Sequence, residues 1–181
     1  MSNFLGPEKF QPSLESIYKG LGIPLGDNMH QDHIIDIHVQ KLHPDAVLPF
    51  KKNKWDAGWD LYSTESVVLE YGVPTKIKTG IAMAIPKGYV GLIWDRSGMG
   101  SKGNKVFGGV IDATYRGEVI VCLTYLNNET DFSTSYFIEK GDKIAQILFA
   151  KSPEASIIEV EDIALLGQTE RGEQGFGSSG R

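Results

Sequence analysis

Short runs of alternating apolar and polar residues, separated by tight-turn sequences, constrain the fold of this chain more than any other feature. Residues 34–40 alternate in this way, apolar residues dominate the strand candidates 75–85 and 118–125, and Pro86-Lys87-Gly88 is one of the turns. Alternation with a period of two predicts half-buried strands, and glycine or proline turns join neighbouring strands. We therefore expect an all-β fold, of the closed-barrel or jelly-roll type. Further strands are predicted at residues 34–40, 66–70, 89–95, 105–111, 135–139, 143–150 and 156–160.

Composition limits the possible functions. The 181 residues and 41% hydrophobic content suit one compact domain with appendages. The net charge of -5 and the lack of a basic run argue against nucleic acid as a partner. No apolar stretch is long enough to span a bilayer or to act as a signal peptide, so we expect no membrane association. A cytoplasmic, soluble intracellular protein is predicted, located in the host cell if a virus encodes it.

The chain has three parts by composition. Residues 1–33 are predicted to be an appendage of unknown role, and residues 34–166 form the β domain. Residues 167–181 form a flexible arm rich in glycine and serine, which buries too little apolar surface to order alone. Phe176 stands between glycines in this arm, and Arg171 precedes it by five residues. That pair suits an arm that orders over a flat ring and a phosphate when a ligand binds.

Two segments offer groups that bind anions. Arg96-Ser97-Gly98 follows an apolar run, and an arginine fork with exposed backbone N–H groups suits phosphate oxygens. Gln146 is a polar residue between apolar neighbours, and its amide is either a donor to phosphate or an ordinary strand amide. A surface loop with one arginine is the alternative interpretation of the first segment.

Carboxylates supply the remaining candidates. Asp112 follows an apolar run and should lie at the mouth of a hairpin, where it either caps a turn or activates water. Tyr115, three residues later, could present its ring to a sugar. Asp60 lies in a segment of small residues and is either a turn residue or a support for hydrated magnesium, which needs few protein carboxylates.

Taken together, these segments resemble the five motifs of the homotrimeric dUTPase family. Their order matches over residues 35–181, which makes a chance match improbable. The matching segments are residues 57–63, 96–103, 109–117, 141–147 and 171–180. The resemblance implies a distorted jelly-roll β-barrel in a homotrimer that exchanges C-terminal arms. It also implies Mg²⁺-assisted hydrolysis of dUTP to dUMP and pyrophosphate, which keeps uracil out of DNA and supplies dUMP for dTMP synthesis.

The resemblance also implies residue roles. Asp112 would activate the water that attacks the α-phosphorus, Tyr115 would pack against the deoxyribose, and Asp60 would support magnesium waters. The other implied substrate contacts are to phosphates (Arg96, Ser97, Gly98, Gln146, Arg171), to uracil (Val106, Gly109, Val110, Phe176) and around the triphosphate (Gly177, Ser178, Ser179). Three positions depart from the family pattern, because Asp95 stands where proline is usual, Thr114 where aspartate is common and Ser179 where threonine is frequent.

Two alternative functions are compatible with such a fold. A dCTP deaminase would need a glutamate on the strand after Asp112, and residues 119–125 contain no acid. A non-catalytic protein that binds dUTP and thereby regulates an unknown protein partner is the second alternative. Residues 1–33 would then be its docking element.

Overall fold

The computed structural model describes residues 34–126, 134–170 and 172–173. Contacts divide the chain into two units, Met1–Asp36 and Ile37–Arg181, and the second unit contains every strand described here. This second unit is nearly all β. The strands are β1 (His38–Lys41), β2 (Trp59–Tyr62), β3 (Val67–Glu70), β4 (Thr75–Ala84), β5 (Tyr89–Trp94), β6 (Asn104–Phe107), β7 (Val110–Ile111), β8 (Glu118–Tyr125), β9 (Ser135–Ile138) and β10 (Lys143–Lys151).

The strands form three antiparallel sheets. One four-stranded sheet has the order β1-β4-β8-β6, a second has the order β2-β10-β5-β7, and β3 pairs with β9. A four-residue helix, α1 (Ser97–Gly100), follows β5, and a 3₁₀ turn covers Ile163–Leu166. The prediction of an all-β fold is confirmed. The residues that follow β5 contact two other strands, since Asp95 accepts the N–H of Val106 on β6 and Arg96 donates to the carbonyl of Lys143 on β10.

One hydrophobic core joins the sheets. On β8, every second side chain is buried, because alternate residues of a strand point to opposite faces. Val119, Val121 and Leu123 are fully buried there, and Ile77 of β4 and Ile147 of β10 belong to the same cluster. Burial therefore alternates from Glu118 to Leu123, although residues 119–123 form a continuous apolar run in the sequence.

The predicted strand at residues 34–40 starts later than expected. β1 begins at His38, which pairs with Ala84, the last residue of β4. No residue of β4 remains to pair with the segment before His38, and Ile34 is exposed. The alternating pattern is present there, but its partner strand has ended.

Three other predictions were wrong. Residues 156–160 form no strand, and Ile157 and Ile158 are exposed, since none of the strands in the described residues pairs with this segment. The predicted strand 105–111 is two strands, because Gly108 adopts a φ of 61° and turns the chain between β6 and β7. The segment around Asp60, expected to be a loop, contains β2, which pairs with β10.

Candidate active site

A carboxylate between two cations organises the end of the second sheet. Asp60 lies on β2, and its Oδ1 accepts a hydrogen bond from Nε of Arg96 at 2.7 Å. Its Oδ2 lies 2.8 Å from Nζ of Lys143, the first residue of β10. The side chain of Asp60 is 19% exposed, so water screens both ion pairs only in part. Asp60 therefore fixes the direction of the Arg96 guanidinium.

The pKa of Asp60 reflects this environment. Burial by itself raises the pKa of this carboxyl, but hydrogen bonds from Lys143 and Arg96 outweigh burial, and the pKa lies below its ordinary value. The same contact with Asp60 raises the pKa of Lys143. Asp60 is thus ionised and paired at neutral pH, and its contact helps Lys143 keep its charge.

Arg96 introduces a short loop rich in hydrogen-bond donors. It caps the N-terminus of α1 in an extended conformation, and its carbonyl accepts the N–H groups of Met99 and Gly100 at 2.9 and 2.8 Å. The side chain of Met99 is buried and anchors the helix, whereas Ser97 and Gly98 are exposed. The first N–H groups of a helix have no acceptor within it, so this turn can receive an anion beside Arg96.

Gln146 lies in the same place. On β10 it pairs with both Asp60 and Trp94, and its Nε2 donates to the carbonyl of Asp95 at 2.8 Å. A Cβ atom on Gly58 would lie 2.1 Å from Oε1 of Gln146, so glycine at position 58 leaves the room that the Gln146 side chain occupies in this conformation. The structure thus brings Arg96, Gln146 and Asp60 together at the ends of β2, β5 and β10.

β6, the turn at Gly108 and β7 (together called the β6–β7 hairpin) connect the two four-stranded sheets, because β6 pairs with β8 and β7 pairs with β5. Two further contacts tie this segment to β5 and to the residue that follows it. Ile93 donates its N–H to the carbonyl of Gly109 at 2.7 Å, and a Cβ on Gly109 would lie 2.3 Å from the Ile93 carbonyl oxygen. Oδ1 of Asp95 accepts the N–H of Val106 at 2.6 Å, and its Oδ2 pairs with Lys105. The carboxylate of Asp95 is therefore directed at the hairpin and neutralised by a lysine.

Asp112 and Tyr115 lie at the far end of this hairpin. Ile111 is buried on β7, and Asp112 follows it as an exposed residue. The carbonyl of Asp112 accepts the N–H of Tyr115 at 3.0 Å, which closes a turn. The hydroxyl of Tyr115 donates to the carbonyl of Glu118 at 2.9 Å, so the ring is held while 43% of the residue remains exposed.

Within one chain, Asp112 is distant from Arg96. Ile111 pairs with Gly91, whereas Arg96 follows β5 five positions beyond Gly91. At a rise of about 3.3 Å per residue, the two sites are separated by roughly 17 Å along the strand. A single chain thus offers an anion-binding loop and a carboxylate that cannot reach the same phosphorus atom.

Some predicted residues cannot be placed. Arg171, Phe176, Gly177, Ser178 and Ser179 lie outside the described residues. Sequence reasoning assigned no role to Lys143 and did not anticipate the contacts of Lys105. The signal for Lys143 was its position at the start of the strand that carries Gln146. Lys105 gave no signal, because its partnership depends on how the hairpin folds back onto β5.

A metal ion would find few protein ligands. Among the described residues, no group of three or more histidine, cysteine, aspartate or glutamate side chains is placed to hold a metal. Both oxygens of Asp60 face cations. This donor set fits Mg²⁺ that is carried mainly by substrate phosphates and water, and it does not fit a protein cage.

The fold and the site define a class of protein. It is a nearly all-β hydrolase of phosphate compounds, with a cationic loop that binds an anion and an exposed carboxylate that can activate water. Within the described part of the chain, no helix is long and apolar enough to cross a membrane.

Comparison with known proteins identifies the family. The dUTPase family model matches residues 45–180, and the chain belongs to this family. A deoxyuridine 5'-triphosphate nucleotidohydrolase of Corynebacterium diphtheriae is 46% identical over 147 residues, covering 80% of this chain and 92% of that protein.

Solved structures agree. The dUTPase of Staphylococcus bacteriophage 80alpha with dUPNHPP has a TM-score of 0.72 and 35% identity, covering 81% of this chain and 99% of that one. A mutant dUTPase from phage phi11 of S. aureus, described as revealing the coordination of a structural Mg(II) ion, has a TM-score of 0.65 and 30% identity, covering 72% and 99%. The jelly-roll type of fold expected from the sequence is thereby confirmed.

Proposed function

We propose that this chain hydrolyses dUTP to dUMP and pyrophosphate, with Asp112 activating the water that attacks the α-phosphorus. The assignment of Asp112 as the general base rests on its position. Asp112 is an exposed residue directly after buried Ile111, which ends β7 and pairs with Gly91 of β5. The backbone beside Asp112 is therefore anchored while its carboxylate stays accessible to water and substrate, as a general base must be.

The phosphates would bind at the cationic loop. Arg96 offers its guanidinium, whose Nε donates to Asp60, and Ser97 and Gly98 offer exposed groups beside it. The amide of Gln146 lies next to this loop and completes the set of donors. Because Asp60 fixes the guanidinium before substrate arrives, less conformational entropy is lost on binding.

The uracil and the deoxyribose of dUTP would bind along the β6–β7 hairpin. We propose that backbone groups from Val106 to Gly109 recognise the uracil edge and that exposed Val110 flanks the base. Tyr115 would lie against the deoxyribose and leave no room for a 2′-hydroxyl, and its hydrogen bond to Glu118 supports that fixed position. A site built on backbone hydrogen bonds discriminates strongly against a base with the wrong donor pattern.

Magnesium would arrive with the nucleotide. The residues present favour Mg²⁺ bound to phosphate oxygens and water, with Asp60 as the nearest carboxylate that could receive a hydrogen bond from a metal-bound water. When bound, Mg²⁺ neutralises charge on the phosphates. The described residues orient the nucleotide and the water, and the support of magnesium waters by Asp60 stays a prediction.

A complete site would need more than one chain. Arg96 and Asp112 are separated along β5 by more than the length of a phosphate group, so we propose that the loop of one copy meets the hairpin of another. A homotrimer closed by rotational symmetry would form three such shared sites. The contribution of the arm, including Arg171 and Phe176, also stays a prediction.

The two alternatives are less well supported. β8 carries one carboxylate, Glu118 at its first residue, which accepts the N–H of Gly80 at 2.8 Å, and between Val119 and Tyr125 it carries none, so the body of the strand offers no acid for a dCTP deaminase. A non-catalytic dUTP-binding regulator would use the same loop and hairpin but would release no pyrophosphate. No contact of the described residues favours regulation over catalysis.

The test is the variant Asp112→Asn, assayed beside the wild type for pyrophosphate release from dUTP, dCTP, dTTP and UTP. We expect wild-type turnover of dUTP alone. We also expect a loss of at least about 100-fold in kcat for the variant, with dUTP affinity retained, because an amide keeps the shape but cannot accept the proton. Full activity in the variant would remove Asp112 from the mechanism, and binding without turnover by the wild type would favour the regulator.

A further inference from the structure

We propose that Asp95 is a positioning residue for base recognition, which holds the β6–β7 hairpin in the conformation that receives uracil. This proposal rests on the proposed function, because it names a determinant of base specificity in the same site. Asp95 follows β5 directly, and its side chain is 22% exposed. Its backbone and its carboxylate contact two different parts of the site.

The carboxylate contacts belong to the hairpin. Oδ1 of Asp95 accepts the N–H of Val106 at 2.6 Å, and Oδ2 pairs with Nζ of Lys105. Both partners lie on β6, immediately before the turn at Gly108 and Gly109. A charged acceptor makes a stronger hydrogen bond than a neutral one, and Lys105 offsets its negative charge. The carboxylate of Asp95 thus holds β6 in place, and we call its contacts with Val106 and Lys105 the clasp.

The backbone contact belongs to the anion-binding loop. The carbonyl of Asp95 accepts Nε2 of Gln146 at 2.8 Å, and Arg96 is the next residue. A change of side chain at position 95 keeps this carbonyl. Substitution therefore separates the two connections, since it releases the hairpin but leaves the amide of Gln146 with its acceptor.

The clasp also limits which backbone groups can form hydrogen bonds with the uracil base. The N–H of Val106 is already satisfied by Asp95, so it is not a free donor for the uracil edge. Recognition then relies on the remaining backbone of the hairpin, whose position depends on the clasp at Val106 and on the hydrogen bond between Ile93 and Gly109. Loss of the clasp removes the contact between β6 and the residue after β5, while the pairing of β6 with β8 and of β7 with β5 remains.

The experiment compares Asp95→Ala and Asp95→Asn with a matched control, Glu154→Ala, which removes an exposed carboxylate far along the chain from these contacts. Steady-state pyrophosphate release gives kcat and KM for dUTP and the rate with dCTP. Inhibition by deoxyuridine and by pyrophosphate reports the base and phosphate ends separately. Hydrogen exchange at the Val106 amide reports the clasp without reference to activity.

For Asp95→Ala we expect KM for dUTP to rise about 10-fold with kcat changed much less, because one hydrogen bond to a charged group is lost. Deoxyuridine should bind about 10-fold more weakly while pyrophosphate binding is unchanged, and the preference for dUTP over dCTP should narrow. Asp95→Asn should restore KM to within about 3-fold of the wild type, since its side-chain oxygen accepts the same N–H. The Glu154 variant should match the wild type.

The proposal is wrong if Asp95→Ala keeps the wild-type KM and base preference, or if the Val106 amide exchanges at the wild-type rate. Equal weakening of deoxyuridine and pyrophosphate would also overturn it, since that result indicates a general loss of structure. Failure of the proposed function looks different, because the wild type itself would then release no pyrophosphate from dUTP. Amide exchange at Val106 would still decide whether the clasp exists.

Discussion

A methyl group added at Gly109 should damage the attachment of the hairpin more than its size suggests. The Cβ of Gly109→Ala would lie 2.3 Å from the carbonyl oxygen of Ile93, well inside any contact that real Cβ atoms make. That oxygen belongs to the backbone of β5 and cannot move aside as a flexible side chain would. Relief therefore requires the two backbones to separate.

The size of the effect follows from that separation. Moving the strands apart by roughly 1 Å would stretch the hydrogen bond from Ile93 to Gly109, now 2.7 Å, beyond hydrogen-bonding range. The lost bond costs about 1 kcal/mol, and the residual strain of an overpacked contact costs about 1–3 kcal/mol. We expect the free energy of unfolding to fall by about 2–4 kcal/mol and Tm to fall by roughly 5–15 °C in a chain of this length.

Thermal unfolding followed by circular dichroism, with all samples at one protein concentration, measures this change. Gly98→Ala is the matched control, because no atom lies within 4 Å of its added Cβ and its φ is not positive. Alanine in α1 should leave Tm unchanged or raise it slightly. A Gly109→Ala variant that melts within 1 °C of the control would refute the reasoning from steric contact.

Two further predictions concern stability. The pKa of Asp60 is lowered in the folded state, so its ion pairs stabilise the fold above the unfolded-state pKa, near the ordinary 3.8, and this contribution is lost as pH falls through the folded pKa. Asp60→Asn should therefore be less stable than the wild type in urea unfolding at pH 7, and the difference should shrink below pH 4; a constant difference would contradict the assigned cause. Leu123→Ala should lower the free energy of unfolding by about 2–5 kcal/mol, because Leu123 is 0% exposed in β8 and its truncation leaves a cavity. Chemical denaturation measures this loss, and a loss below about 1 kcal/mol would show that the core collapses around the cavity.

The parts of the fold that the sequence predicted well are those governed by local pattern. β5, β8, β9 and β10 begin and end within one residue of the predicted runs, because short apolar stretches bounded by turn residues mark these strands in the sequence. Asp112 was expected at the mouth of a hairpin. It does follow the last apolar residue of β7, but β7 and β8 belong to different sheets and form no hairpin, which local hydrophobicity does not reveal.

The parts that escaped prediction depend on partners distant in sequence. Residues 156–160 have the composition of a strand but lack a neighbour, and β2 was taken for a loop because its pairing with β10 is not visible locally. The same limit applies to the site. The contacts of Asp60 with Lys143 and of Asp95 with Val106 join segments that meet only after the sheet has formed.

β5 has a consequence for engineering. It carries Ile93 and leads directly into Asp95 and Arg96, so one strand sets the spacing between the hairpin and the cationic loop. Gly91 on the same strand admits Ile111 so closely that a Cβ would lie 3.3 Å from it. If the hairpin of a relative were transplanted alone, it would no longer be matched to Gly91 and the neighbouring residues of β5. A graft intended to change base preference should therefore carry residues 91–95 together with the hairpin.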